Sequence, residues 1–233
     1  MDFQNNGRDD VMTQLAGVYQ AYRDLIVVGV MVVVIAIGGG GGWWYHRQVR
    51  ENEAHKAYAQ LAQEVASAGD SAGAWGRIVQ DAGLMRENHG GTAAEGLIAA
   101  AQAHALVELG QLPEALEVYK FVASKAQEDI KPFYEITVAL LQLDIGDAAG
   151  SQEGLETLKR ISSGPDYNLS LSYDLALYRL GEYFWTRKNF DQARNFWGQL
   201  IVSTEKDKDL PDYRNGSPWA AKAREHLALI DYR

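Results

Sequence analysis

The sequence predicts an all-α chain: one N-terminal transmembrane helix, then a solenoid of helical hairpins closed by a C-terminal capping helix. Three observations carry this. One uncharged apolar run spans Leu25 to Trp44. Beyond it, apolar residues recur at helical spacing and no stretch alternates as a half-buried strand would. Small residues then return at one constant interval along the remainder.

The run reads LIVVGVMVVVIAIGGGGGWW, twenty residues without a charge. At ~1.5 Å per residue this is about 30 Å of helix, enough to cross a bilayer core. No second run resembles it, so the chain divides into a tail (1–24), a membrane helix (25–45) and a solenoid domain (46–233). In the tail, Val11, Leu15, Val18, Tyr22 and Leu25 fall on one helical face, which predicts a partly helical approach to the membrane. Ala36-Ile37-Gly38 resembles a signal-peptidase site, but the 24 residues before the run are net acidic, whereas export leaders start short and basic. A retained anchor is therefore the favoured reading. Five consecutive glycines, Gly38–Gly42, close the run, and Gly38 with Gly42 forms a GxxxG pair. It is either a packing face for a partner's membrane helix or a tolerated patch. Trp43, Trp44 and Tyr45 follow as an aromatic belt at the bilayer interface, with lipid as their partner. Arg8 and Arg23 before the span, against Arg47, Arg50 and Lys56 after it, lean by one residue toward a cytoplasmic C-terminal domain.

Residues 45–233 carry 20 basic and 27 acidic side chains. That balance excludes phosphate-backbone recognition, hence nucleic acid, and a polybasic lipid contact. Without cysteine there is no disulfide, thiolate chemistry or thiolate zinc site. The histidines His46, His55, His89, His104 and His226 lack metal-ligand spacing, and no phosphate loop, dinucleotide fingerprint or nucleophile elbow occurs. The stretch 205–209 alternates acids with lysines and makes a solvated loop, not a calcium loop. The expectation is a non-enzyme with no cofactor, metal or small-molecule substrate.

Periodicity places helices at 45–68, 71–83, 92–109, 112–127, 131–145, 150–162, 168–187, 190–203 and 217–232. The five prolines all fall at helix starts or in loops. Short connections make neighbouring helices antiparallel hairpins. In LALYRLGEYFWTRKNFDQARNFWGQLI, the residues Leu180-Gly181, Phe184, Phe190, Ala193 and Trp197 stand where a tetratricopeptide repeat places its Leu-Gly pair, large residue, turn aromatic, small alanine and second aromatic. Gly181 and Ala193 would let two helices cross closely, with Phe184 and Trp197 filling the groove beside them. Steps of 39 residues back from Ala193 reach Gly154, Ala115 and Gly76, with Leu158 and Tyr119 at the position of Trp197. The period exceeds the usual ~34, which predicts slightly longer helices. Ser217-Pro218 opens a last helix with a serine N-cap, and its face of Trp219, Ala223, Leu227 and Ile230 caps the solenoid.

With no chemistry to assign, binding remains. The first helix of each hairpin lines the inner face of such a solenoid. His104, Glu108, Leu143, Tyr178, Glu182 and Trp185 are expected there as a groove for proteins or extended chains. Tyr178 and Trp185 are its candidate anchors, unless they simply pack on neighbouring helices.

The junction GGWWYHRQVRENEAHKAYAQL and the segment GTAAEGLIAAAQAHALVELGQLPEALEVYKF resemble the single-span ancillary Sec translocon subunits of the YfgM type, over about residues 20 to 203. The resemblance implies a bacterial inner-membrane protein with a cytoplasmic N-terminus and a periplasmic repeat domain. It also implies a scaffold recruiting partners or clients at the Sec translocon together with periplasmic chaperones. The orientation implied by the family overrides the one-residue charge lean. The five-glycine run and the apolar tail helix depart from the pattern. The rival expectation is a stable structural or accessory subunit of another membrane complex, respiratory, photosynthetic or motility-related, held through the span and the domain surface.

Overall fold

A computed structural model describes residues 43–164, 171–206 and 217–231. The predicted tail and most of the predicted span, including Gly38 and Gly42, lie outside the described residues. Among the described residues no helix is long and apolar enough to cross a membrane. The chain divides into two units, Met1–Glu53 and Ala54–Arg233.

The described residues form nine helices and no strand. They are α1 (43–67), α2 (Ala72–His89), α3 (Glu95–Glu108), α4 (Leu112–Lys125), α5 (Lys131–Ile145), α6 (Ala148–Ser163), α7 (Leu171–Thr186), α8 (Phe190–Lys206) and α9 (Pro218–Asp231). Local signals fix several ends. Ser71 caps α2 by accepting from the Ala74 amide, and Asp147 caps α6 by accepting from Gly150. Pro132 sits in the first turn of α5, and Gly146 ends that helix at φ 77°, a left-handed conformation that suits glycine. Ser217 precedes α9 as expected, but its hydroxyl makes no capping bond; the Ala220 amide bonds the Ser217 carbonyl instead.

From α2 onward each helix packs on the next, and α7 also touches both α5 and α9, which puts it in one layer with each of them. The core is a series of four clusters. The first joins α1, α2 and α3 around Leu61, Ile78 and Ile98. The second joins α3, α4 and α5 around Leu106, Ala115 and Leu141. The third joins α5, α6 and α7 around Ile136, Leu158 and Leu180, and the last joins α7, α8 and α9 around Leu177, Trp197 and Ala223. Neighbouring clusters share a helix, the nearest-neighbour construction of a repeat array.

The crossings explain the small residues. A Cβ on Gly181 would collide with the Trp197 indole, whose Nε1–H donates to the Tyr178 carbonyl at 3.1 Å. A Cβ on Gly154 would lie 2.6 Å from the Ala139 carbonyl oxygen. Ala193 and Ala115 are fully buried. The register stops there. Gly76 is exposed, with open space where its Cβ would be, so it is no crossing residue. In α2 the buried positions are Trp75, Ile78 and Ala82. The helix also runs six residues beyond the expected end at Gly83. Met85 packs into the first cluster and Arg86 donates to Gln102 of α3 at 2.7 Å, so tertiary contacts carry it past the glycine.

These contacts predict opposite signs for two glycine substitutions. Gly181→Ala should lower stability by about 1–3 kcal/mol, because the indole cannot retreat. Gly76→Ala should raise it by about 0.5–1 kcal/mol through helix propensity alone. Thermal melts followed by circular dichroism check both; equal responses would refute the assigned crossing.

Candidate functional site

The six expected groove residues occupy three helices. On α3, His104 is exposed with its ring edge-on to Trp75 of α2 at 5.3 Å, and Glu108 is exposed. On α5, Leu143 is half-buried against the third cluster. On α7, Glu182 accepts from Arg179 at 2.8 Å, and both are half-exposed. Tyr178 is only 4% exposed and Trp185 is half-buried, and both are engaged within the chain.

Those two belong to an aromatic assembly between α7, α8 and α9. Trp185 contacts Phe190 at 5.2 Å and Trp197 at 5.8 Å. Tyr178 contacts Trp197 at 6.5 Å and Trp219 at 5.5 Å. The imidazole of His226 lies parallel to Trp197 at 4.8 Å, with 12° between the rings. The Tyr178 hydroxyl is 3.2 Å from His226 Nε2. Burial first, then Glu182, pushes the Tyr178 phenol up to about 12, against a partial opposing pull from Arg179. Trp219 lies on the apolar face read from the sequence, and His226 follows it at seven residues, two helical turns on. That spacing could have placed His226 in the contact.

Two further sets escaped sequence reasoning. Arg86 of α2 donates to Gln102 of α3 and lies 4.7 Å over the Phe121 ring of α4, a cation–π contact tying three helices. Tyr119 and Tyr134 have phenols raised above the ordinary value, in both cases mainly by burial, then by Tyr134 and by Tyr58 respectively.

Concavities of mixed charge occur among the described residues. One of about 330 Å³ lies between α1 and α2, rimmed by Glu64, Arg77 and Asp81. Another, about 190 Å³, lies over α5 between α4 and α6, where Arg160 bonds Glu135 at 2.8 Å. No group of residues able to hold a metal ion occurs among the described residues. The array of hairpins with small residues at their crossings agrees with the match of a tetratricopeptide repeat-like domain to residues 18–197. The chain belongs to the tetratricopeptide repeat-like family. Neither a curated protein nor a solved structure matches it. A tetratricopeptide-like array is typically a non-catalytic protein-interaction architecture, whose stacked repeats expose an extended face.

In the unit Met1–Glu53, the described residues begin α1. Trp43, Trp44 and Tyr45 are each more than 60% exposed, and the Arg47 guanidinium lies 5.7 Å from the Trp43 ring centroid.

The raised phenol of Tyr178 gives a pH prediction. The unfolded chain releases this proton near pH 10 and the folded chain near pH 12, so the associated stability is complete below pH 10 and disappears as pH rises toward 12. About 2–3 kcal/mol should be lost across that window. Tyr178→Phe should remove that part of the alkaline loss, as measured by denaturant titration at several pH values. An unchanged alkaline profile in the variant would contradict the assignment.

Proposed function

We propose that the chain is a membrane-anchored protein-binding scaffold, with residues 25–45 as the anchor and residues 46–233 as the binding domain. The observation that carries the anchor is the aromatic collar beside the uncharged run. Successive helical residues are about 100° apart, so Trp43, Trp44 and Tyr45 spread over roughly 200° of the helix circumference. One partner helix covers a stripe of roughly 100°. A bilayer interface surrounds the helix on every side and suits all three rings. The family match begins at residue 18 and so takes in the apolar run.

The partners are proposed from the resemblance of the junction and the α3–α4 segment to ancillary Sec translocon subunits. On this reading the N-terminus is cytoplasmic and the domain periplasmic, at the inner membrane. It recruits emerging envelope proteins and periplasmic chaperones beside the translocon. His104, Glu108, Leu143 and Glu182 belong to its binding face, with Tyr178 and Trp185 supporting that face from behind. Tethering raises the local concentration to roughly millimolar, so weak affinities suffice. Gly38 and Gly42 favour a second reading, a stable subunit of another membrane complex, because a GxxxG pair lets a partner helix pack closely.

The full chain should stay with the membrane pellet after alkaline carbonate extraction, whereas a chain lacking residues 1–42 should be released. Protease added to spheroplasts should digest the domain. Extraction of the full chain would remove the anchor, and digestion only in inverted vesicles would reverse the orientation. Under the second reading, Gly38→Leu with Gly42→Leu would dissolve a stoichiometric complex.

A further inference from the structure

We infer that the side of the array where α2 and α4 flank α3 carries a docking point for an acidic segment of a protein partner, built from Arg86, Gln102, Phe121 and Lys125. The Arg86 guanidinium lies 4.7 Å over the Phe121 ring, and its Nη1 donates to the Gln102 side-chain oxygen at 2.7 Å. A stacked face and a bonded edge together hold the planar fork in place. The Lys125 ammonium, one turn beyond Phe121 on α4, lies 5.7 Å from the same ring. One half-buried ring thus gathers two cations, although acids outnumber bases 27 to 20 over residues 45–233.

Neither cation forms an ion pair with a described residue. A half-buried guanidinium is ordinarily compensated by a carboxylate, because its desolvation is otherwise repaid only in part. Here the compensation is a neutral amide and a π face, and the Nε–H is buried without a hydrogen-bond partner among the described residues. The Nη2 group, with two more N–H donors, stays open to solvent. A carboxylate meeting a fork that is already ordered loses little side-chain entropy and gains a charge-assisted hydrogen bond. A second carboxylate of the same segment then meets Lys125. Both cations stand in the last turns of their helices, where they complement the terminal carbonyls. That role does not explain why two different helices converge on one ring.

The docking point is separate from the binding face proposed above. Gln102 and His104 are two residues apart on α3, about 200° around the helix, so they lie on opposite sides of it. His104 meets Trp75 there, while Gln102 meets Arg86. The two sides can be occupied together, and this inference stands whether or not the anchor and the partners proposed above hold.

The test is proton–nitrogen NMR of the arginine Nε–H signals in the full chain, in zwitterionic micelles at pH 7. The probe is a blocked peptide of alternating Glu-Glu and Gly-Ser pairs, with a matching Lys-Lys peptide as control. The Arg86 signal should shift saturably with the first peptide and stay still with the second. By fluorescence anisotropy of the labelled Glu peptide, Arg86→Gln should weaken binding roughly tenfold. Lys125→Gln should weaken it roughly threefold, and because Lys125 is exposed this variant keeps the fold even where Arg86→Gln does not. His104→Ala, on the other side of α3, should bind as wild type does. Wild-type affinity in the Lys125 and Arg86 variants would overturn the inference. So would inorganic phosphate that moves the Arg86 signal at lower concentration than the peptide, which would make this a small-anion site.

Discussion

The close approach of paired helices is the constraint on which this architecture depends. It shows best where Gly181 makes room for Trp197. The indole sits where a Cβ would be, and its N–H reaches the Tyr178 carbonyl at 3.1 Å. The same residue thereby fills the crossing, satisfies its own polar atom and presents a ring face to His226 of the next helix. Elsewhere Gly154 meets the Ala139 carbonyl, and Ala115 and Ala193 are sealed. Each close crossing leaves an apolar seam that the following helix must cover, which is why the four core clusters run in series. At the last seam the cover is α9, whose side chains Trp219, Ala223 and Ile230 complete the cluster around Trp197.

Much of this order was legible in the sequence because its signals are local. The bounds of α5 follow from a proline in its first turn and a glycine just past its end, and the structure places it at Lys131–Ile145 as expected. The small-residue interval held for three hairpins because Gly154 abuts the Ala139 carbonyl and Ala115 and Ala193 are fully buried, which leaves no room for larger side chains. It failed at Gly76, where α2 packs through Trp75, Ile78 and Ala82, and no small residue is required. The continuation of α2 past Gly83 depends on Gln102 and Phe121, which the sequence places far away. The binding residues divide the same way. Tyr178 and Trp185 were visible as aromatics on α7, yet that they are occupied by α9 depends on His226, 48 residues further on. Periodicity along one helix carries no information about that partner.

The proposed function joins two physical arguments of different kinds. A repeat array offers an extended face with few demands on affinity, and a membrane anchor supplies concentration. Their combination suits a scaffold that meets many chains briefly. A permanent subunit would instead bury the same surfaces for good. The polar contacts on the proposed face fit the former. Arg179 and Glu182 form a half-exposed pair at the surface, of the kind worth little by itself, and His104 and Glu108 remain exposed. Such groups can exchange partners at small cost.

The measurement that tests this account most directly is purification of the full chain from native membranes in mild detergent, with quantitative mass spectrometry of what stays bound. The account predicts translocon subunits and periplasmic chaperones in substoichiometric amounts. A fixed set of other membrane subunits at equal stoichiometry would contradict it and make the chain a structural component.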